Sequence, residues 1–284
     1  MRVGLRLLEL AREGHARTIF VVGTGKNVGK TTALLAIYEA ACRSGLRVGL
    51  ASIGPKPRLR LRPNTLFVTA RPLLVPSPAV EILEISQLES SSGPLLYART
   101  AHDGLYDLAG PSSASGLREA VEAISAHSDI VLIDGAIDRI ATLASADGAI
   151  VVSCGAAAAK TEAEALSDVA TLTARLRVPA FDPDDAVLEV DGALTATMAA
   201  DFIAAAEARQ IVVGDSTQIV MHGRSLAEAL ARLRIRCRRS FDVIATTVCA
   251  VAPERSFDPA AFLTAVAGAT NLPSFDVFAG REAA

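Results

Sequence analysis

Short runs in which every position is apolar alternate along this chain with longer stretches whose apolar residues recur every three or four positions. TIFVVG (18–23) is a β-branched run ending in glycine, KTTALLAIYEAACRSG (30–45) reads as a helix capped by Gly45, and LRVGLASIG (46–54) is a second strand. These three make a βαβ unit. Residues 55–112 break the rhythm: proline-punctuated apolar runs such as LRLRPNTLFVTARPLLVPSP, AVEILEIS and PLLYART predict an insert of small strands and turns. The regular pattern then resumes, with a helix over 117–127, strands over 129–136 and 147–156, and a helix over 160–176. After Asp182, Pro183, Asp184 and Asp185 a comparable series follows. VLEVDGALT, QIVVGDSTQIVM, FDVIATTVCAV and LPSFDVF are separated by helical stretches at about 196–209, 224–233 and 258–267. Continuous apolar strands point to an α/β fold with a mostly parallel sheet flanked by helices. The expected division is a first domain over 1–180, carrying the small β-rich insert, and a second α/β lobe over 181–284. DGA occurs at 134, 147 and 191, each time near a strand end, which is ordinary turn chemistry.

Composition narrows the class. A chain of 284 residues, 51 % hydrophobic, has ample material for a core. Its formal net charge of -3 argues against a surface dominated by basic residues, so nucleic acid is not an expected partner. Cys42, Cys154, Cys237 and Cys249 lie far apart and form no CxxC pair, which predicts buried thiols in a reducing compartment and no zinc site. The segment MRVGLRLLELAREGHARTIF has apolar and charged residues at helical spacing and lacks the apolar core of a signal peptide. No apolar stretch approaches the ~18 to 20 residues of a membrane span. A cytoplasmic location and no membrane partner are expected.

The chemistry concentrates in VVGTGKNVGKTTALL (21–35), a glycine-rich turn between a strand and a helix. That context is what a phosphate loop requires, because backbone N–H groups and the helix N-terminus converge on phosphate oxygens. Gly25, Lys26, Asn27, Val28, Gly29, Lys30, Thr31 and Thr32 are the expected nucleotide contacts, with Lys30 on the β- and γ-phosphates and Thr31 holding Mg²⁺. The pattern GxxxxGK[ST] is missed at one position, Thr24. Lys26 is either a solvated lysine at a turn or a contact to bound phosphate, within the chain or across a dimer. In IVLID, four apolar residues deliver Asp134, expected as the second protein ligand of the metal. Beyond it, Asp138 would position the attacking water and Arg139 stabilise transferred charge, or the two form a solvated ion pair in a turn.

GTGKNVGKTT resembles the loop of dethiobiotin synthetase and its relatives and, more distantly, that of the MinD and ParA-type ATPases. The resemblance implies a P-loop NTPase fold with ATP and Mg²⁺ as cofactors. The MinD-type signature lysine would fall at Gly25, so its role does not carry over to Lys26. Asp134-Gly135-Ala136 matches the synthetase's acid-Gly-Ala, but Ile137-Asp138 replaces its double glycine. Lys56-Pro57, in SIGPKP, resembles the synthetase pair whose lysine meets the reacting group. No NKxD element occurs, which favours ATP over GTP. His15, His102, His127 and His222 have no metal-like spacing.

Two function classes follow: a synthetase that activates a small carboxylate metabolite, and a switch ATPase that acts on a partner enzyme or within a homodimer. VGTGKNVGKTT, GLASIG, YDLAGPSS, IDGAIDR, VDGALT and FDPAAFL…LPSFDVF also resemble a bacterial family of loop-containing proteins of cobalamin-dependent aminomutase gene clusters. That resemblance implies an accessory ATPase that reactivates a mutase, and the missing double glycine favours the switch. Alternating arginines in PKPRLRLRP and ARLRIRCRRS are either solvated edge charges, docking surfaces for an acidic partner, or anion-binding groups near the nucleotide.

Overall fold

The computed structural model describes residues 2–52, 58–74, 79–111, 113–135 and 148–283. In chain order the first elements are α1 (Arg2–Glu13), β1 (Thr18–Gly23), α2 (Lys30–Arg43), β2 (Val48–Ser52), β3 (Leu59–Leu61), β4 (Leu66–Ala70), β5 (Val80–Ser90), β6 (Gly93–Thr100), β7 (Gly104–Tyr106), α3 (Ala114–Ser125) and β8 (Ile130–Asp134). They are followed by β9 (Gly148–Gly155), α4 (Glu162–Leu176), β10 (Val187–Glu189), α5 (Ala196–Ala204), β11 (Gln210–Asp215), α6 (Gly223–Arg232) and β12 (Ile235–Arg239). The last are β13 (Asp242–Cys249), β14 (Val251–Ala252), β15 (Arg255–Ser256), α7 (Pro259–Thr270), β16 (Ser274–Asp276) and β17 (Arg281–Glu282).

A 10-stranded sheet runs in the order β17-β16-β13-β9-β1-β8-β2-β4-β6-β5. From β16 to β4 the neighbours are parallel, and antiparallel strands finish both edges. β1 shows why the central runs are apolar without interruption. Its Ile19 and Val21 join one core layer with Leu7 of α1 and Leu34 and Ile37 of α2, while Phe20 and Val22 join the other with Leu117 of α3, Val169 of α4 and Phe262 of α7. A strand covered on both faces needs apolar side chains at every position.

Several helices carry a boundary in their sequence. α2 ends in a Schellman motif: Gly45, at φ +74°, donates to the Cys42 carbonyl and Leu46 donates to that of Ala41. Ser113 and Thr161 accept the capping hydrogen bonds of α3 and α4 from Gly116 and Glu164. α1 packs on α2 at close range, for a Cβ on Gly4 would lie 2.0 Å from the Ala36 carbonyl oxygen. Gly4→Ala is therefore expected to lower stability by about 1–3 kcal/mol despite alanine's better helix propensity. A urea midpoint equal to that of the wild type would contradict this packing.

Three expectations change. The insert over 55–112 is no separate appendage: β4, β6 and β5 extend the main sheet, and β3 with β7 forms a small pair beside it. The second lobe over 181–284 is divided. β10, β11 and β12 form their own three-stranded parallel sheet around Ile211, Val213, Ile235 and Cys237, whereas β13 and β16 return to the main sheet beside β9. β13 is buried at every position after Asp242, a pattern that only the interior of a covered sheet accommodates. Finally, the arginine-rich segments are neutralised within the chain. Arg58, Arg60 and Arg62 pair with Asp107, Asp103 and Glu39, and Arg234, Arg238 and Arg239 pair with Asp185, Glu189 and Asp215. Each such surface pair contributes roughly 0–1 kcal/mol, as expected of solvated edge charges. Among the described residues no helix is long and apolar enough to cross a membrane.

Candidate functional site

The loop after β1 is placed at the middle of the sheet. β1 lies between β9 and β8, and Thr24 donates to the Ser153 carbonyl at 2.9 Å, so the loop leaves β1 still tied to β9. Two left-handed residues then turn it into α2. Asn27 has φ +58° and Gly29 φ +91°, conformations that asparagine tolerates and glycine adopts freely. Val28 between them is buried, which pins the loop and leaves only its backbone to meet a ligand. Gly29 is the N-cap of α2 and brings no side chain to its first N–H groups. Those donors and the positive end of the helix dipole suit an anion. The Lys30 ammonium reaches back to donate to the Gly25 carbonyl, spanning the mouth of the loop.

β8 brings the acid. In register Asp134 sits opposite Val21 of β1 and Ser52 of β2, with no strand between loop and carboxylate. The register of β2 against β8 is fixed at the other end by Arg47, whose guanidinium and backbone N–H bond to Asp129 and hold its carboxyl down to about 2. Asp134 is 4 % exposed and accepts a hydrogen bond from the Thr31 hydroxyl at 3.3 Å. A hydroxyl and a buried carboxylate in contact at a helix N-terminus are the donor set that Mg²⁺ uses beside a nucleotide, the phosphates and waters supplying the other ligands. Among the described residues no group of three or more His, Cys, Asp or Glu side chains is placed to hold a metal, so a protein-only cage is not offered there.

Of the residues expected from sequence, Gly25 to Thr32 and Asp134 converge here, while Lys56, Asp138 and Arg139 lie outside the described residues. Lys26 is exposed and lines a cavity of about 470 Å³ beside the loop. Gly23, Gly25 and Lys30 share that wall. The opposite wall comes from α4, through Asp168, Thr171 and Arg175, and from the start of α6, through His222 and Leu226. Partial burial pushes the Asp168 carboxyl above its usual range, with the Glu164 carboxylate adding to it. On the other flank, Phe278 and Cys249 stand over Gly29, where an added Cβ would lie 3.2 Å from the Phe278 ring and 3.5 Å from the Cys249 Cβ. None of these wall residues carried a signal in sequence, because tertiary packing alone brings them to the loop. The thiols are structural: burial pushes Cys154 and Cys237 up to about 12 and raises Cys249.

No family model matches the chain, and no curated protein matches it. Among solved structures, a BceF tyrosine kinase domain aligns at a TM-score of 0.31 and 17 % identity, over 57 % of this chain and 66 % of that one. So slight a likeness carries no inference about activity.

Proposed function

We propose that this protein binds Mg-ATP at the loop after β1, hydrolyses it, and works as a nucleotide-dependent accessory factor for a partner enzyme. One observation carries the nucleotide part: the Thr31 hydroxyl meets the buried Asp134 carboxylate beside a helix whose first residue is Lys30 and whose N-cap is a left-handed glycine. Lys30 and the loop backbone hold the β- and γ-phosphates, Thr31 and Asp134 hold the metal, and the metal offsets charge that develops on the transferred phosphoryl group.

The accessory role rests on what surrounds that site. Phosphoryl transfer is governed by positioning and electrostatics, so a site whose phosphate and metal ligands are in place can be accelerated further by a group supplied from outside. An arginine or ordered loop so supplied raises the rate by ~10³ to 10⁵ in switch proteins. A second copy of the chain can play that part. The synthetase reading keeps one observation in its favour, the cavity of about 470 Å³ beside the loop, within the roughly 300–1,000 Å³ of small-molecule sites. Affinity capture from native lysate, with ADP and with a non-hydrolysable ATP analogue, separates the two. The switch is expected to recover a partner in one nucleotide state. Stoichiometric conversion of a small carboxylate, with phosphate release that needs no second protein, would establish the synthetase.

A further inference from the structure

The three-stranded sheet of β10, β11 and β12 has no part in building the phosphate loop, yet the helix that follows β11 faces it. Asp168, Thr171 and Arg175 recur on α4 at three- and four-residue spacing and so form one helix face, which looks across the cavity to Lys26 and Lys30. His222 and Leu226, one turn apart at the start of α6, close the same cavity. The wall is mixed in a particular way. Arg175 is only 8 % exposed, whereas the His222 imidazole is exposed and makes no capping hydrogen bond to its own helix. Leu172 and Leu226, both largely buried, supply apolar lining beside them.

A triphosphate seated with its β-phosphate on Lys30 would carry its last group toward the start of the loop, where Gly23, Gly25 and Lys26 line the cavity. A diphosphate stops short of it. We propose that Arg175 and His222 read the terminal phosphate, so that the sheet of β10, β11 and β12 is the part of the molecule that distinguishes ATP from ADP. This rests on the nucleotide reading of the loop and holds for a switch and for a synthetase alike. A guanidinium from α4 and an imidazole from α6 meet one phosphoryl group, which ties α6, and the sheet behind it, to α4 when the triphosphate is bound. After hydrolysis and phosphate release that bridge is lost.

The test compares ADP with a non-hydrolysable ATP analogue, both with Mg²⁺, on the full chain and on Arg175→Met and His222→Ala. Wild type is expected to prefer the analogue, and each variant to lose roughly tenfold of that preference, the effect of one charge-assisted hydrogen bond, with ADP affinity kept. Hydrogen exchange over residues 216–226 supplies a second reading, with protection expected for the analogue and not for ADP. If Arg175→Met, at a buried position, does not fold, His222→Ala and the exchange pattern decide. Unchanged preference in His222→Ala together with equal protection by both nucleotides overturns the inference and leaves the loop reading standing. Failure of wild type to bind either nucleotide removes both.

Discussion

Lys30→Ala is expected to weaken Mg-ATP binding by a factor of ten or more. Hydrogen bonds between a charged donor and phosphate are each worth about 1.5–3 kcal/mol, and the Lys30 ammonium stands at the loop mouth, where it spans to the Gly25 carbonyl. Folding is expected to be spared, because Lys30 is the first residue of α2 and sits outside both core layers. Titration calorimetry on the wild type and the variant checks this. Equal affinities would show that the loop binds its ligand, if any, without that ammonium.

Asp134→Asn preserves shape and removes charge, and its expected effect is the collapse of Mg-dependent hydrolysis with metal-free nucleotide binding intact. The position is buried between Val21 and Ser52, so the amide keeps the packing, and the Thr31 hydroxyl can still donate to its oxygen. What is lost on the proposed reading is the carboxylate that, with Thr31, would hold the metal. A phosphate-release assay across a Mg²⁺ series reads it. Hydrolysis near the wild-type rate would reduce Asp134 to a strand-end residue whose partner is Thr31 alone.

The loop and the acid were legible in sequence for a physical reason. Both are local: a strand, two left-handed turn residues and a helix start lie within VVGTGKNVGKTTALL, and four apolar residues followed by an acid describe the end of a buried strand wherever it pairs. Which strand it pairs with was not legible. FDVIATTVCAV and QIVVGDSTQIVM look alike as apolar runs, yet β13 enters the main sheet beside β9 and β11 builds another. The difference lies in what covers each strand, a property of the partner and not of the run. The cavity wall was hidden for a similar reason. A helix face carrying Asp168, Thr171 and Arg175 reads as solvated until α6 is laid against it. Nor did the arginines of LRIRCRR announce their partners, since Asp185 and Glu189 lie in and just before β10, on the far side of β11 from β12.

The return of β13 to the side of β9 also has a bearing on how the molecule is made. As the chain emerges from the ribosome, β9 is complete at Gly155, but the strand that covers its free edge ends at Cys249. In the interval the nascent polypeptide holds a fully apolar strand with one row of backbone donors and acceptors open, while the three-stranded sheet is assembled. At synthesis rates of roughly 5–20 residues per second that exposure lasts on the order of ten seconds, during which another strand edge competes for the vacancy. Chains that terminate before β13 are therefore expected to aggregate more readily than the full chain, which sedimentation of the two after expression would read.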